Sequence, residues 1–278
     1  MKVLRPKTVS EAIELQKQTG ADYIAGGTFS MVEISSGRYS PDFLIDLSLC
    51  DALYGIKELE TGVEVGALTT FTDIEKSEVL NRLFPALVKA AKEVGGPQVR
   101  NRGTLGGNLC AASPAADAVP PLMALGAEAV VTGKTGERSI PLNEMFLAPK
   151  KTCLTDDEIL TAVRIPKSGY KSGFIKVGKR NALAVSCANM AVALCAEHGC
   201  IKDIRIAVGS CAPTPRLCTK TAEALLGAYS AEKCSAAKNL LMTEISPIDD
   251  RWATAEYRRL VVNNMLETLV EELLKEGK

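Results

Sequence analysis

Residues 100–117 constrain the fold of this chain more than any other stretch. They carry three glycines within five residues, Gly103, Gly106 and Gly107, followed by small and polar side chains. Glycine lacks a Cβ atom, so its N–H group can approach an anion closely and take backbone angles that other residues avoid. We interpret the stretch as bare backbone that fills no core and contacts a phosphate. A tight turn without a ligand is the alternative.

A second glycine loop lies near the N-terminus. The apolar residues 23–25 predict a short strand, Gly26-Gly27-Thr28 follows, and residues 29–35 have a helical pattern that ends at Gly37. Backbone N–H groups where a strand leads into a helix favour a phosphate. An ordinary strand-to-helix turn is the alternative interpretation.

Local signals along the chain predict mixed strands and helices. Thr8 and Glu11 form a capping-box pattern for a helix that stops at Gly20, and Thr72 and Glu75 form another. Pro85 begins an alanine-rich helix. Further predictions are a strand at 43–47, hairpins at 54–66 and 128–140, a strand at 159–165, a meander over 172–208, and helices at 219–227, 231–244 and 254–276.

Several classes of protein are disfavoured. Regular βαβ alternation and the G-x-G-x-x-G pattern are absent, which argues against a doubly wound dinucleotide fold. The 33 basic and 33 acidic residues balance, which argues against nucleic acid as a partner. Because the sequence shows no signal peptide and no apolar run long enough to span a membrane, we expect a cytoplasmic protein without membrane insertion.

The cysteines and the histidine give little sign of metal or nucleophilic chemistry. The nine cysteines form no Cys-x-x-Cys pair, so we expect reduced thiols that pack as small core residues. The single histidine, His198, precedes a glycine and is predicted at the tip of a turn. A mechanism that depends on a histidine base would rest on this one residue, so we predict no catalytic residue.

Several sequence pieces, in order, resemble the flavin subunits of the molybdenum hydroxylases, the medium-subunit family of xanthine dehydrogenase and carbon monoxide dehydrogenase. The resemblance covers residues 3–275. It rests on the segments 24–28 (IAGGT), 66–75 (GALTTFTDIE), 98–108 (QVRNRGTLGGN), 113–117 (SPAAD), 174–176, 213–216, 249–252 and 256–259.

The resemblance implies an α+β fold in two domains. Residues 1–166 would form the two-subdomain FAD-binding fold of the vanillyl-alcohol oxidase type, with subdomains of about 1–52 and 53–166. Residues 167–278 would form a small α+β C-terminal flavoprotein domain, in agreement with the strands and helices predicted there.

The resemblance also implies FAD as the cofactor and a set of residues that bind it. One group would wrap the diphosphate through backbone N–H groups: Ile24, Ala25, Gly26, Gly27, Thr28, Phe29, Ser30 and Met31. A second group would close on it from the other side: Thr104, Leu105, Gly106, Gly107 and Asn108. Gly95 would lie under the cofactor, and Ile159 and Leu160 would offer backbone groups to its isoalloxazine or adenine end.

Two charged residues complete the implied site, each with an alternative. Asp117 would accept hydrogen bonds from the adenosine ribose or its neighbour, or else cap the helix that begins at Pro120. Lys176 would lie near the pyrimidine edge of the flavin, or else be a solvated lysine on a strand.

The implied function is electron transfer within a larger enzyme. Partner chains would be a [2Fe–2S] subunit and a molybdopterin-binding subunit, with NAD or another compound as the electron acceptor. The alternatives are a stand-alone flavin oxidase of the same broad fold and a non-catalytic nucleotide-binding protein.

The sequence departs from the family at two places. Asn181-Ala182-Leu183 follows Arg180 where many relatives have an acidic residue. Aromatic residues sometimes cover the flavin ring in the family, whereas Val94 stands beside Gly95 here. The acceptor and the access to the flavin ring therefore stay open. Because the cysteine insert of one family branch is absent, we predict no metal.

Overall fold

The N-terminal segment folds around a three-stranded parallel sheet. The computed structural model describes residues 1–180 and 183–275. The Thr8 hydroxyl accepts a hydrogen bond from the Glu11 N–H at 3.2 Å, and the following helix ends at Gly20, whose φ is 65°. The sheet order is β1-β3-β2, and the elements are β1 (Lys2–Leu4), α1 (Val9–Thr19), β2 (Asp22–Ile24), α2 (Ser30–Ser35) and β3 (Phe43–Asp46).

A five-stranded antiparallel sheet follows, with the order β4-β5-β10-β6-β7. The strand at 159–166 lies in its centre and joins the two predicted hairpins, since it pairs with one strand of each. The strands are β4 (Ile56–Glu58), β5 (Gly62–Gly66), β6 (Glu128–Gly133), β7 (Gly136–Pro141) and β10 (Ile159–Pro166), and a separate small hairpin holds β8 (Phe146–Ala148) and β9 (Lys151–Thr152).

Short helices cover this sheet. Two 3-10 turns, Leu47–Leu49 and Asp51–Leu53, lead into it. The helices are α3 (Phe71–Lys76), α4 (Glu78–Leu83), α5 (Pro85–Glu93), α6 (Pro97–Arg100), α7 (Leu105–Cys110), α8 (Val119–Ala124) and α9 (Leu142–Met145).

The capping box of α3 differs from the prediction. Thr70, not Thr72, is the N-cap, and it forms a reciprocal box with Asp73. An isolated bridge between Thr70 and Thr104 holds this residue in extended conformation, so the helix begins there. The Thr72 hydroxyl instead donates to Asn101 Oδ1 at 2.6 Å.

The glycine stretch is helical where we expected bare backbone. Thr104 caps α7 by accepting the Gly107 N–H at 3.1 Å. The Gly106 N–H donates to the Ala67 carbonyl at 2.8 Å, which draws the helix onto the loop after β5. Leu105 and Leu109 are fully buried in the main core, so the expectation that this stretch fills no core is wrong.

The C-terminal segment is an antiparallel sheet backed by helices, in the order β11-β12-β13-β14, with β15 also paired to β13. His198 lies in the turn between β12 and β13, as predicted, with a φ of 48°. The elements are β11 (Lys171–Gly178), β12 (Ser186–Glu197), β13 (Cys200–Gly209), β14 (Arg216–Leu217), β15 (Gly227–Ala228), α10 (Thr219–Ala224), α11 (Ala231–Glu244) and α12 (Ala255–Lys275).

The two faces of this C-terminal sheet belong to different cores. Met190 and Val192 of β12 pack in one cluster with Leu266 of α12. Phe174 and Ala191 belong instead to the main core, together with residues of α5 and α8. The chain therefore has the predicted α+β fold, and its C-terminal sheet is packed directly against α5 and α8, the helices before and after the glycine stretch. Within the described residues, no helix has the length and apolar character needed to cross a membrane.

Candidate functional site

A cleft of about 760 Å³ lies between the N-terminal glycine loop and α7. Its volume is within the range of small-molecule sites, roughly 300–1,000 Å³. Most predicted site residues line it: Ile24, Ala25, Gly26, Gly27, Thr28, Phe29, Ser30, Gly95, Thr104, Gly106, Gly107, Asn108, Asp117, Ile159 and Leu160. Three predicted residues are not on its lining: Met31, Leu105 and Lys176.

The first wall of the cleft presents unpaired backbone donors. In the part of the chain that the structure describes, the N–H groups of residues 26–30 have no hydrogen-bond acceptor. A Cβ atom on Gly26 would collide with the carbonyl of Arg102, and Gly27 has a φ of 73°. Both positions therefore require glycine, and the loop forms a row of donors suited to an anion.

The opposite wall, α7, has fewer free donors than we predicted. The N–H groups of Gly106, Gly107 and Asn108 donate to the Ala67 carbonyl, the Thr104 hydroxyl and the Thr104 carbonyl. They are therefore engaged within the protein, contrary to the expectation that they are open to a phosphate. The free group on this wall is an acceptor, the Oδ1 atom of Asn108, which is buried, has no partner among the described residues and suits a donor of a ligand rather than a phosphate.

Asp117 and Lys176 form a buried ion pair at one side of the cleft. Lys176 Nζ lies 2.6 Å from Asp117 Oδ2 and 2.8 Å from the carbonyl of Glu93. The other carboxylate oxygen, Oδ1, accepts from Ser186 at 2.5 Å and from Asn189 at 2.9 Å. The network connects the segment before α8 with β11 and β12.

Both alternatives for these two residues are wrong. The N-cap of α8 is Ala118, so Asp117 does not cap it. The Lys176 side chain is only 7% exposed, so it is not a solvated strand lysine. Asp117 lines the cleft, whereas Lys176 is off the lining and its ammonium group contacts Asp117 and the carbonyl of Glu93. The ribose partner of Asp117 and the pyrimidine-edge partner of Lys176 stay predictions.

Tyr23 of β2 lines the cleft, although the sequence did not single it out as a site residue. The hydroxyl of Tyr23 is buried and has no hydrogen-bond partner within residues 1–180 and 183–275. Burial raises the pKa of this phenol, and the carboxylates of Asp157 and Asp156 raise it further, so the group stays protonated at neutral pH. Its position directly before the glycine loop was the available sequence signal.

Two other carboxylates on the cleft lining, Asp22 and Glu158, are already engaged. The Tyr39 hydroxyl donates to the Asp22 carboxylate, and both residues line the cleft. Glu158 lies 2.6 Å from Arg138 Nε, and that hydrogen bond is the main reason why the pKa of Glu158 falls to about 2.

Glycine and aliphatic side chains line another part of the cleft. Gly95 has a φ of 46°, and a Cβ there would lie 2.8 Å from the side chain of Val99. Val94 lines the cleft beside it, as does Leu183. The departure at Asn181 and Ala182 lies outside the described residues.

Comparison with known proteins identifies the family. The family model for the FAD binding domain in molybdopterin dehydrogenase matches residues 1–168. The chain belongs to this family. The model of the CO dehydrogenase flavoprotein C-terminal domain matches residues 173–273. The family resemblance predicted from the sequence is thereby confirmed, and the cofactor is FAD.

Full-length relatives agree with the assignment. The carbon monoxide dehydrogenase medium chain of Hydrogenophaga pseudoflava is 32% identical over 267 residues, covering 94% of this chain and 93% of that one. The xanthine dehydrogenase FAD-binding subunit of Escherichia coli O157:H7 is 28% identical, covering 96% and 94%. A solved carbon monoxide dehydrogenase from H. pseudoflava superposes with a TM-score of 0.95 at 30% identity, covering 98% of this chain and 96% of that chain.

The residues that line the cleft can be compared with the needs of FAD, the cofactor of this family, and we call it the FAD cleft. The unpaired N–H groups of residues 26–30 match the need of a diphosphate for several donors. The partnerless polar atoms of Tyr23 and Asn108 lie where a ligand could satisfy them. The residues present therefore fit FAD, and the chain is an oxidoreductase subunit whose family carries its molybdenum site on another chain.

Proposed function

We propose that this chain is the electron-transfer subunit of a multi-subunit molybdenum hydroxylase. Its partners would be a chain with [2Fe–2S] clusters and a chain with the molybdopterin cofactor, and the acceptor would be NAD or another compound. When bound, FAD supplies the redox chemistry between the clusters and the acceptor. The proposal is supported by relatives that are described as a medium chain and as an FAD-binding subunit.

The observation that carries the proposal is the run of five unpaired N–H groups at residues 26–30. This run holds a dinucleotide in place without requiring a side chain to react. The only histidine, His198, lies in the β12–β13 turn and is not on the cleft lining. This chain would therefore contribute binding and orientation, and proton transfer by its own side chains is not part of the proposal.

We place the complex in the cytoplasm. All nine cysteines are free thiols in the structure, although several are exposed or half-buried. Reduced cysteines are typical of cytosolic proteins, because thiols in oxidising compartments tend to form disulfides. Fractionation of the native host with a tagged copy would test this placement.

The first test is the visible absorption spectrum of the purified full chain, before and after addition of FAD and desalting. We expect flavin absorption to remain with the protein. If no flavin is retained, the same measurement on the complex with its partner subunits decides the matter. Absence of flavin there would refute the proposal.

The second test concerns the acceptor. NADH is added to the FAD-loaded protein without oxygen, and loss of flavin absorption is followed over time. Rapid bleaching supports NAD as the acceptor, while its absence assigns the acceptor to another class. Consumption of oxygen with an organic substrate by this chain alone would favour the stand-alone oxidase instead.

A further inference from the structure

Lys150 connects the two walls of the FAD cleft. Its backbone N–H donates to the carbonyl of Ala112, just beyond α7, at 2.9 Å. Its ammonium group reaches Glu33 of α2 at 3.1 Å and lies 5.4 Å from the centre of the Phe29 ring. Lys150 has a φ of 61°, a left-handed conformation that is uncommon for lysine and that persists only where surrounding contacts enforce it.

The charges on the cleft lining make this lysine distinctive. Among the described lining residues, Lys150 is the one cation, and the carboxylates are Asp22, Asp117, Asp156 and Glu158. Lys176 and Arg138, which are off the lining, already pair with Asp117 and Glu158, whereas Asp22 and Asp156 form no ion pair among the described residues. A diphosphate adds negative charge beside these two carboxylates, and a full positive charge offsets the repulsion more strongly than the partial charges of backbone N–H groups.

Glu33 holds Lys150 in a way that allows its release. The Glu33 carboxylate is shared, since Arg38 Nη2 lies 2.8 Å away and Lys150 Nζ lies 3.1 Å away. Hydrogen bonds from Arg38 and then from Lys150 lower the pKa of Glu33 to about 2, so it is ionised at neutral pH. If Lys150 leaves, Arg38 still neutralises Glu33. The Lys150 side chain is 61% exposed, and exposed ion pairs of this kind contribute little to stability.

We propose that Lys150 exchanges its ion pair with Glu33 for one with the diphosphate of the bound dinucleotide. This inference rests on FAD binding in the cleft and adds a residue to the phosphate site formed by residues 26–30. Phe29 contributes by keeping the ammonium group near that loop through the face of its ring. Glu33 competes with the diphosphate for the same cation.

The competition predicts opposite effects of two single charge removals. Lys150→Gln should weaken FAD binding about tenfold, as expected for loss of one charge-assisted contact. Glu33→Gln should strengthen FAD binding several-fold, because the carboxylate that competes for Lys150 is gone. Lys151→Gln, at the exposed neighbouring position, should bind as the wild type does, and Lys150→Arg should retain most of the affinity.

The experiment is a fluorescence titration of the FAD-depleted full chain with FAD, ADP and riboflavin at low and high salt. Lys150→Gln should weaken FAD and ADP alike, leave riboflavin unchanged, and reduce the salt dependence of FAD binding. Unchanged riboflavin affinity also shows that the variant is folded.

Three results would overturn the inference. These are equal FAD affinity of Lys150→Gln and wild type, equal weakening of riboflavin and FAD, or weaker binding in Glu33→Gln. The last would mean that the pair serves only to hold the two walls together. Failure of the wild-type chain and of its complex to bind FAD at all would instead refute the proposed function, so the two failures are distinguishable.

Discussion

Replacing Lys176 by methionine tests the buried network beside the FAD cleft. The Lys176 and Asp117 side chains are 7% and 9% exposed, so solvent screens their 2.6 Å contact very little. Removing one partner of a buried pair costs about 3–5 kcal/mol, because the remaining charge is left without compensation. Ser186 and Asn189 still donate to Asp117, which favours the lower end of that range.

We therefore expect Lys176→Met to lower the free energy of unfolding by about 3 kcal/mol. The unfolding entropy of about 2.1 cal/mol/K per residue gives about 0.6 kcal/mol/K for this chain of 278 residues, so the melting midpoint should fall by about 5 °C. Urea unfolding of the FAD-free protein, followed by circular dichroism, measures the change directly.

Two further variants decide whether the ion pair is the cause. Lys92→Met makes the same substitution at an exposed position of α5 and should leave stability nearly unchanged. The double variant Lys176→Met with Asp117→Asn removes both charges and should be less unstable than the sum of its single changes. The ion pair is not the cause if Lys176→Met and Lys92→Met lower the free energy of unfolding equally. The same holds if the loss in the double variant equals the sum of the losses in the two single variants.

Three other predictions concern the cleft and its rim. Tyr23→Phe removes a buried hydroxyl that has no partner among the described residues, so it should leave the FAD-free protein as stable or slightly more stable while weakening FAD binding in a titration. Gly26→Ala should abolish flavin retention after desalting, because the added Cβ collides with the carbonyl of Arg102; retained flavin would contradict this packing. The pKa of Glu158 is lowered from 4.5 to about 2, so its contribution to the stability of the folded protein is fully present above pH 4.5 and is lost as the pH falls towards 2. Glu158→Gln should therefore reduce the pH dependence of the free energy of unfolding between pH 4.5 and 2. An unchanged pH dependence in this range would contradict the role of the Arg138 pair.

Much of the local structure followed from the sequence. The Thr8 cap, the stop at Gly20, the helix that begins at Pro85 and the turn at His198 all depend on residues within a few positions of one another. The glycine loop at residues 26–28 was also recognisable, because its glycines are consecutive in the chain. The structure gives the reason for one of them, since the carbonyl of Arg102 excludes any side chain at Gly26. The family motifs pointed to FAD because they, too, are short and continuous.

The error at the glycine stretch has a tertiary cause. Glycine is a poor helix former, so residues 105–110 predicted irregular backbone. The Thr104 cap, the contact of Gly106 with Ala67 and the burial of Leu105 and Leu109 together outweigh that preference. Helices in proteins gain most of their stability from packing, and packing partners distant in sequence are not visible in a local pattern.

The sequence by itself determined most of the strands and longer helices, the glycine loop at residues 26–28 and the family. Tertiary structure alone decided that β10 joins two hairpins, that Lys176 meets Asp117 across 59 residues, and that Lys150 reaches Glu33 across 117. The physical reason is the range of the interactions. Turns, caps and glycine conformations depend on neighbours in the chain, whereas ion pairs and sheet order depend on which distant surfaces are buried together.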